Sequence, residues 1–405
     1  CDTRTIYTAD SAGTALVSFD TAYATANPGN FSVAHISGLS QWSSLTATQQ
    51  TAAAGTNLIN FLRGRHNYEE NRTSNAAANW LYRYRDAVLG DVLESQPAFV
   101  SAPTFDYADP GYSGFKALHA SRAGSVFVGA NDGMLHAFAA ADGVERWAYV
   151  PSMVIPNMWK LADKNYSGQH ANFVNGSVTI SDVCTANCTL ASATWKTILV
   201  GGLNAGGRGY YALDITNPVT PALLWEFTPV NNANLGYTYG KPVIAKKVDG
   251  TWVVVVTSGY DNGTLSADNI TANSPAGDGL GYLYVLNAGT GAIISAISTG
   301  TGSATTPSGL AKFNIYNDTP GGDLNKGSLA GFVYGGDLEG NVWRFDINSS
   351  ASAAIGTGNG SNFATLFSDT AGTVPQPITA APTLGLIDNQ RVIYVGTGKY
   401  LESAD

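Results

Sequence analysis

The sequence predicts an all-β protein folded as a β-propeller, and three observations carry that prediction. From about Gly90 onward, short runs rich in Val, Tyr, Phe and Trp recur, each broken by Gly, Asn or Asp. The runs repeat one order: strand, glycine-rich turn, strand ending near Asp or Asn, second turn. Charged residues make up only 13% of the 405 residues, about half the usual ~25%. The surface must then be built from Ser, Thr, Asn and the 46 glycines, a habit of secreted β-proteins rather than of cytosolic helical enzymes.

The first 90 residues are mixed and supply short helical segments. Ser44 to Gly64 reads as one helix, with Leu45, Leu58, Ile59, Phe61 and Leu62 on a shared face and Gly64 suited to its end. Gly55 lies inside it. Asn79 to Asp91 is a second compact aromatic stretch. The domain reading is therefore an N-terminal segment, 1–90, whose helices lead into and pack on a propeller spanning 91–405.

Within the propeller, four units run Val126–Trp147, Thr197–Phe227, Val253–Ile294 and Gly331–Ile347, and a fifth opens at Arg391. Asp132-Gly133 and Asp142-Gly143 are hairpin turn signals. Pro-containing runs precede three units: Ser95-Gln96-Pro97, Gly240-Lys241-Pro242 and Ala381-Pro382. Proline has no ladder donor, so these mark an inner or edge strand. Repeated antiparallel units favour a propeller over a β-sandwich. Five units are visible, fewer than most closed propellers carry. The remainder would come from the first 125 residues, from merged strands, or from sequence beyond Asp405.

Several function classes are excluded. A net charge of −9 opposes non-specific nucleic-acid binding, which needs a basic face. No apolar run reaches the roughly 18 residues of a helical membrane span. The chain starts at Cys1 with no signal peptide, and reads as a monomeric domain cut from a longer polypeptide. Cys184 and Cys188 have three residues between them and no Cys or His pair at zinc spacing elsewhere, so a disulfide-closed loop is the reading, with Cys1 left over. That pairing implies an oxidising compartment.

The catalytic motifs are absent or broken. Gly396-Thr397-Gly398-Lys399 is followed by Tyr400 where a phosphate loop has Ser or Thr. The five histidines form neither HxH nor HExxH, and His136 beside Phe138 reads as a packing residue. No GxSxG occurs. Two segments have calcium-loop spacing, in which side-chain oxygens alternate. Asp163-x-Asn165-x-Ser167 ends at Val174 where an EF-hand has Glu, and Asp323-x-Asn325 precedes the strand carrying Tyr334.

Several phrases now assemble in order: Leu62-Arg63-Gly64, Leu89-Gly90-Asp91-Val92, Val128 to Phe138, Trp147-Ala148-Tyr149-Val150-Pro151, Leu199-Val200-Gly201-Gly202, Gly281 to Leu286, Tyr334 to Phe345 and Gly396 to Leu401. Together they resemble the propeller region of the PilC/PilY-type pilus-tip adhesins of bacterial type IV pili. The resemblance implies a modified quinoprotein-like propeller of about seven blades. It implies roles in pilus biogenesis, retraction control and adhesion at the pilus tip, hence in virulence. The expected partners are minor pilins and an unidentified surface receptor. The expected location is the outer cell surface, reached through the periplasm.

The resemblance also implies calcium. The family's loop, mapped here, starts at Asp323 and Asn325 and takes the Leu329 carbonyl. Its next acidic positions fall on Gly327 and Gly331, with Asn317 and Asp318 close enough in sequence to substitute. An alternative is a quinone-dependent dehydrogenase. It needs adjacent cysteines, whereas Cys184 and Cys188 are separated by three residues, so neither a quinone nor enzymatic activity is expected. A periplasmic scaffold for outer-membrane assembly is a third reading, poorly served by the long polar inserts at 261–280 and 348–372. In the adhesin reading those inserts are the contact loops.

Overall fold

The computed structural model describes residues 3–263, 276–317, 330–348, 360–366, 371–388 and 390–399. Those residues form five sheets in chain order, antiparallel except for one parallel pairing in the first, with helices concentrated near the N-terminus.

The first sheet has β3 (Ala98–Val100), β4 (Ser125–Ala130), β5 (Met134–Ala139) and β6 (Glu145–Val150) as a meander. Two N-terminal strands extend it. Strand β1 (Ile6–Ala9) pairs in parallel with β6, Tyr7 opposite Tyr149, and β2 (Leu16–Ser18) closes the outer edge. The second sheet is β7 (Val178–Ala186), β8 (Thr194–Gly202), β9 (Tyr210–Asp214) and β10 (Ala222–Phe227). The third is β11 (Val243–Lys246), β12 (Trp252–Thr257), β13 (Tyr282–Asn287) and β14 (Ile293–Ser298). The fourth is β15 (Phe313–Asn317), β16 (Ala330–Gly336), β17 (Asn341–Asp346) and β18 (Gly360–Thr365). A hairpin of β19 (Thr383–Ile387) and β20 (Gln390–Tyr394) follows.

The sequence repeat keeps one phase in this architecture. Each unit read from the sequence opens on the second strand of a sheet: β4, β8, β12, β16 and β20. Pro97, Pro242 and Pro382 each stand immediately before a first strand, β3, β11 and β19. There the missing N–H costs no ladder bond. First strands of neighbouring sheets also meet, since Thr179 Oγ1 on β7 donates to the Pro242 carbonyl at 2.7 Å.

The sheets stack face to face, and strand burial shows it. Every residue of β12 is buried, so its two faces serve different cores. Trp252, Val254 and Val256 pack with Ile198, Val200 and Tyr210 of the second sheet. Val253 and Val255 pack with Val333, Trp343 and Phe345 of the fourth. In the second sheet, Leu199, Tyr211 and Leu213 turn instead toward the first sheet and the N-terminal helices. A one-residue register slip would exchange the two cores, so the alternation specifies the pairing.

Tryptophans lock successive sheets. Trp147 Nε1 on β6 donates to the Pro218 carbonyl in the β9–β10 turn at 2.9 Å. Trp225 Nε1 on β10 donates to the Ala288 carbonyl in the β13–β14 turn at 3.0 Å. Each last strand thus reaches the same turn of the next sheet. Gly291 (φ +69°) lies under the Trp225 ring, where a Cβ would come within 2.6 Å of it.

The N-terminal helices are α1 (Thr21–Ala26), α2 (Val33–Ile36), α3 (Ala47–Ala52) and α4 (Thr56–Leu62), with α5 (Tyr112–Leu118) between β3 and β4. The single helix expected over Ser44–Gly64 is two. Gly55 adopts φ +61°, ψ −127°, which ends the helical path and starts α4 anew. Thr46 caps α3 through a reciprocal box with Gln49. The α4 terminus is a Schellman turn: Arg65 N donates to the Asn60 carbonyl and Gly64 N to the Phe61 carbonyl. Gly64 takes φ +102° there, and a Cβ would lie 2.5 Å from Val88 Cγ1. Leu58, Ile59, Phe61 and Leu62 are buried against the first core.

Candidate functional site

The calcium loop read from the sequence connects β15 to β16. The ladder pairs Ile315 with Val333 and, after a bulge, Asn317 with Ala330, so the first and second strands of the fourth sheet bracket the connection. Asp318, Asp323, Asn325, Gly327 and Leu329 lie outside the described residues, and so does the side chain of Asn317. Among the described residues, no group of three or more His, Cys, Asp or Glu is arranged to hold a metal ion.

The far end of the same sheet is a tight polar clamp. Asp337, fully buried in the β16–β17 turn, accepts from Trp343 Nε1 at 2.7 Å and Asn341 Nδ2 at 3.0 Å. The Glu339 and Asn341 backbone amides donate to its other oxygen at 3.0 and 2.9 Å. The Tyr334-to-Phe345 phrase is therefore a strand, a carboxylate-pinned turn and a second strand.

Cys184 and Cys188 form a disulfide with an S–S distance of 2.15 Å. It links β7 to the turn before β8, and Cys184 is buried beside Trp195. Asp163, which opens the EF-hand-like spacing, is engaged within the fold: Oδ2 accepts from Ser40 N at 2.8 Å, and Oδ1 accepts from Asn165 N at 2.7 Å and from the Ser40 hydroxyl.

His136 is more than a packing residue. It sits on β5, 1% exposed, with its ring stacked on Phe138. Nδ1 is 2.7 Å from Glu145 Oε1, and Nε2 is 3.1 Å from both Asp132 oxygens. Both ring nitrogens face carboxylates, so the doubly protonated imidazolium is the form that satisfies them. Burial pushes the histidine down, but Asp132 and Glu145 outweigh it and hold it up at about 9. Glu145 is in turn gripped by Arg4, with Nε to Oε2 at 2.6 Å and Nη2 to Oε1 at 2.8 Å. Burial raises the Glu145 carboxyl, yet Arg4 and His136 bring it to about 2. A charged row Asp132–His136–Glu145–Arg4 thus ties the N-terminal segment to the first sheet.

A second buried cluster lies beside it. Glu69, with no exposure, accepts from Arg85 Nε at 2.6 Å, Arg72 Nε at 2.8 Å and His66 Nδ1 at 2.8 Å. Sequence spacing could show the His66–Glu69–Arg72 part, which is local. Nothing in the sequence pairs Arg4 with Glu145, 141 positions away. Both arrangements hold opposite charges together inside the fold.

With this geometry in place, the likeness to known proteins decides the family. The PilY1 beta-propeller domain family matches residues 89–405. The chain belongs to that PilY1 β-propeller family. A Pseudomonas aeruginosa (strain PAK) relative, a type IV pilus biogenesis factor PilY1, is 34% identical over 402 residues, covering 90% of this chain and 31% of its own length. A Xylella fastidiosa PilY1 homolog is 34% identical over 364 residues, covering 87% of this chain and 26% of its own length. The crystal structure of the Pseudomonas aeruginosa PilY1 C-terminal domain superposes with a TM-score of 0.55 at 30% identity, covering 76% of this chain and 60% of that one.

This PilY1-family chain therefore spans about a third of the length of its first curated relatives. The stacked sheets, the first three of them joined by tryptophan hydrogen bonds, are its version of the PilY1 propeller, and the described residues carry four sheets and a hairpin. A match to a pilus-factor family does not favour the quinone-dehydrogenase reading. Among the described residues, no helix is long and apolar enough to cross a membrane.

Proposed function

We propose that this chain is the propeller module of a type IV pilus biogenesis factor, acting without catalysis at the pilus tip on the cell surface. The observation that carries the reading is the PilY1 match over 89–405, joined to relatives named as type IV pilus biogenesis factors. In this reading the module supports assembly, controls retraction and contributes to adhesion. Its partners are minor pilins and a surface receptor. The two-faced burial of the strands makes the frame stiff, and connections on a stiff frame are where recognition residues are best displayed. The test is the number of surface pili in cells whose chain lacks the module, which is expected to fall.

Calcium at the β15–β16 connection belongs to the same proposal. Asp323, Asn325 and the Leu329 carbonyl would hold the ion, with Asp318 and Asn317 completing the set. Gly327 and Gly331 stand where further acids would add charge, and calcium affinity follows ligand charge. The expected Kd is therefore weak, about 0.1–1 mM, as in extracellular calcium modules. Calorimetry on chelator-stripped protein checks it. Binding in that range that disappears in Asp323→Ala supports the site. No heat, or heat unchanged in the variant, removes calcium from this connection.

A further inference from the structure

A cavity of about 630 Å³ opens between the N-terminal segment and the first sheet, and a recess of about 110 Å³ shares Arg65 and Asn67 with it. The larger volume falls in the range of sites that enclose small ligands, roughly 300–1,000 Å³. The charged groups in its wall are already matched inside the fold. Arg4 clasps Glu145 and donates to the Arg63 carbonyl at 2.9 Å. Arg63 donates to the Phe19 and Arg4 carbonyls, and Arg65 is engaged as well. His136 lies between Asp132 and Glu145, and Glu69 Oε2 holds His66 Nδ1 at 2.8 Å. A charged ligand would have to break these pairs or sit beside them without a counter-charge.

The unmatched polar groups in the wall are neutral. Thr3 and Asn67 line the cavity, and Asn60 and Asn67 line the recess. Among the described residues, none hydrogen-bonds to the side chain of Thr3, Asn60 or Asn67. Thr3 and Asn67 are exposed and Asn60 is half-buried. Asn60 stands on the last turn of α4 and Asn67 just beyond the Schellman turn, so the turn that Gly64 closes against Val88 sets both. Each amide offers donors and an acceptor, and the threonine hydroxyl offers one donor and two lone pairs. Ligand hydroxyls, which also both donate and accept, match that set.

An apolar strip lies in the same wall. Phe138, Val88 and Leu89 line the cavity, Leu89 is 47% exposed, and Phe138 is backed by the His136 ring. A sugar ring has this mixed character, with C–H bonds on its faces and hydroxyls around its rim. A peptide would need a free strand edge to take up its backbone groups. Strands β5 and β6, which carry His136, Phe138 and Glu145, are paired on both edges. We propose that the cavity binds a neutral sugar unit of a glycan, with a ring face against Phe138, Val88 and Leu89 and hydroxyls on Thr3 and Asn67, a second unit reaching Asn60 in the recess. The proposal does not depend on the pilus role.

Calorimetry and saturation-transfer NMR on the 405-residue chain test it with the methyl β-glycosides of glucose, galactose and N-acetylglucosamine. At least one is expected to bind with a Kd below about 5 mM. The matching disaccharide (cellobiose, lactose or diacetylchitobiose) is expected to bind several-fold more tightly. Affinity is expected to change by less than about twofold between about 0.05 and about 0.5 M NaCl, since salt screens only charged ligands. Asn67→Ala, at an exposed position, is expected to weaken the bound sugar several-fold with an unchanged melting temperature. Should it melt early, Thr3→Val replaces it, with the same loss expected. No binding of any glycoside at about 50 mM overturns the proposal, as does equal binding by wild type and the variant. Tighter binding of benzoate or benzylamine than of every glycoside overturns it in favour of a charged ligand, and tighter binding of a blocked alanine tripeptide overturns it in favour of a peptide.

Discussion

Replacing Glu69 with Ala is expected to destabilise the folded chain by about 3–5 kcal/mol, the range for breaking a buried ion pair from one side. Glu69 is fully buried and is the acceptor for Arg85, Arg72 and His66 at once. Arg85 is itself only 8% exposed and lies over the Phe61 ring. Without the carboxylate its guanidinium would stay in an apolar site with lost hydrogen bonds, and the cost is mainly that stranded charge. Urea unfolding measures the change. Glu69→Gln keeps the shape and one acceptor oxygen, so a smaller loss is expected. A loss below about 1 kcal/mol for the alanine variant would mean that the cluster behaves as a surface ion pair.

The same carboxylate has a pH signature. Burial alone would raise its pKa, but Arg85, with hydrogen bonds from Arg72, Arg85 and His66, holds it below the ordinary 4.5. A depressed acid stabilises the fold above its unfolded pKa and loses that stabilisation as pH falls through the folded value. The wild type should therefore weaken on acidification below about 4.5, and Glu69→Ala should lack that share of the decline.

His136 predicts the opposite slope at alkaline pH. Its folded pKa is raised from 6.5 to about 9. The stabilisation from its charged form is complete below 6.5 and is lost as pH rises through 9. The shift of 2.5 (9 minus 6.5) corresponds to about 3 kcal/mol at most, at 1.36 kcal/mol per pKa unit. Chemical denaturation between pH 6 and pH 10 should show a fall of that order in the wild type. His136→Gln should start less stable, since Asp132 and Glu145 lose their cation, and should stay flat across the window. Parallel pH profiles for the two proteins would show that His136 is neutral in the fold.

Much of the fold was legible because its signals are local. A strand buried on both faces, such as β12, must be apolar at consecutive positions, and the Val253-to-Val256 run announces it. Pro97, Pro242 and Pro382 mark the starts of first strands because proline is tolerated only outside the ladder. The Ser44–Gly64 helix failed at Gly55, where periodicity could not see a backbone turn with positive φ. Strands β1 and β2 carried too little pattern, being four and three residues long, and β1 joins the first sheet through β6, about 140 positions away. The charged row failed for the same reason. Asp132 is one turn of chain from His136, but Glu145 enters from the next strand and Arg4 from the N-terminal segment. The cavity they line is a product of that assembly, and no residue type in isolation signals it. The calcium reading rested on family resemblance, and Asp323, Asn325 and Leu329 lie outside the described residues.

The central claim is that a PilY1-type propeller makes this chain a pilus biogenesis module. The most direct measurement is a count of surface type IV pili, by electron microscopy, in cells whose full-length protein lacks the region equivalent to residues 89–405. The truncated protein must be shown to be exported at normal levels. Pili should be lost or strongly reduced, and should return when the intact chain is supplied. Normal pilus numbers with the truncated protein would contradict the account, and would place the biogenesis function in the parts of the longer relatives that this chain does not cover.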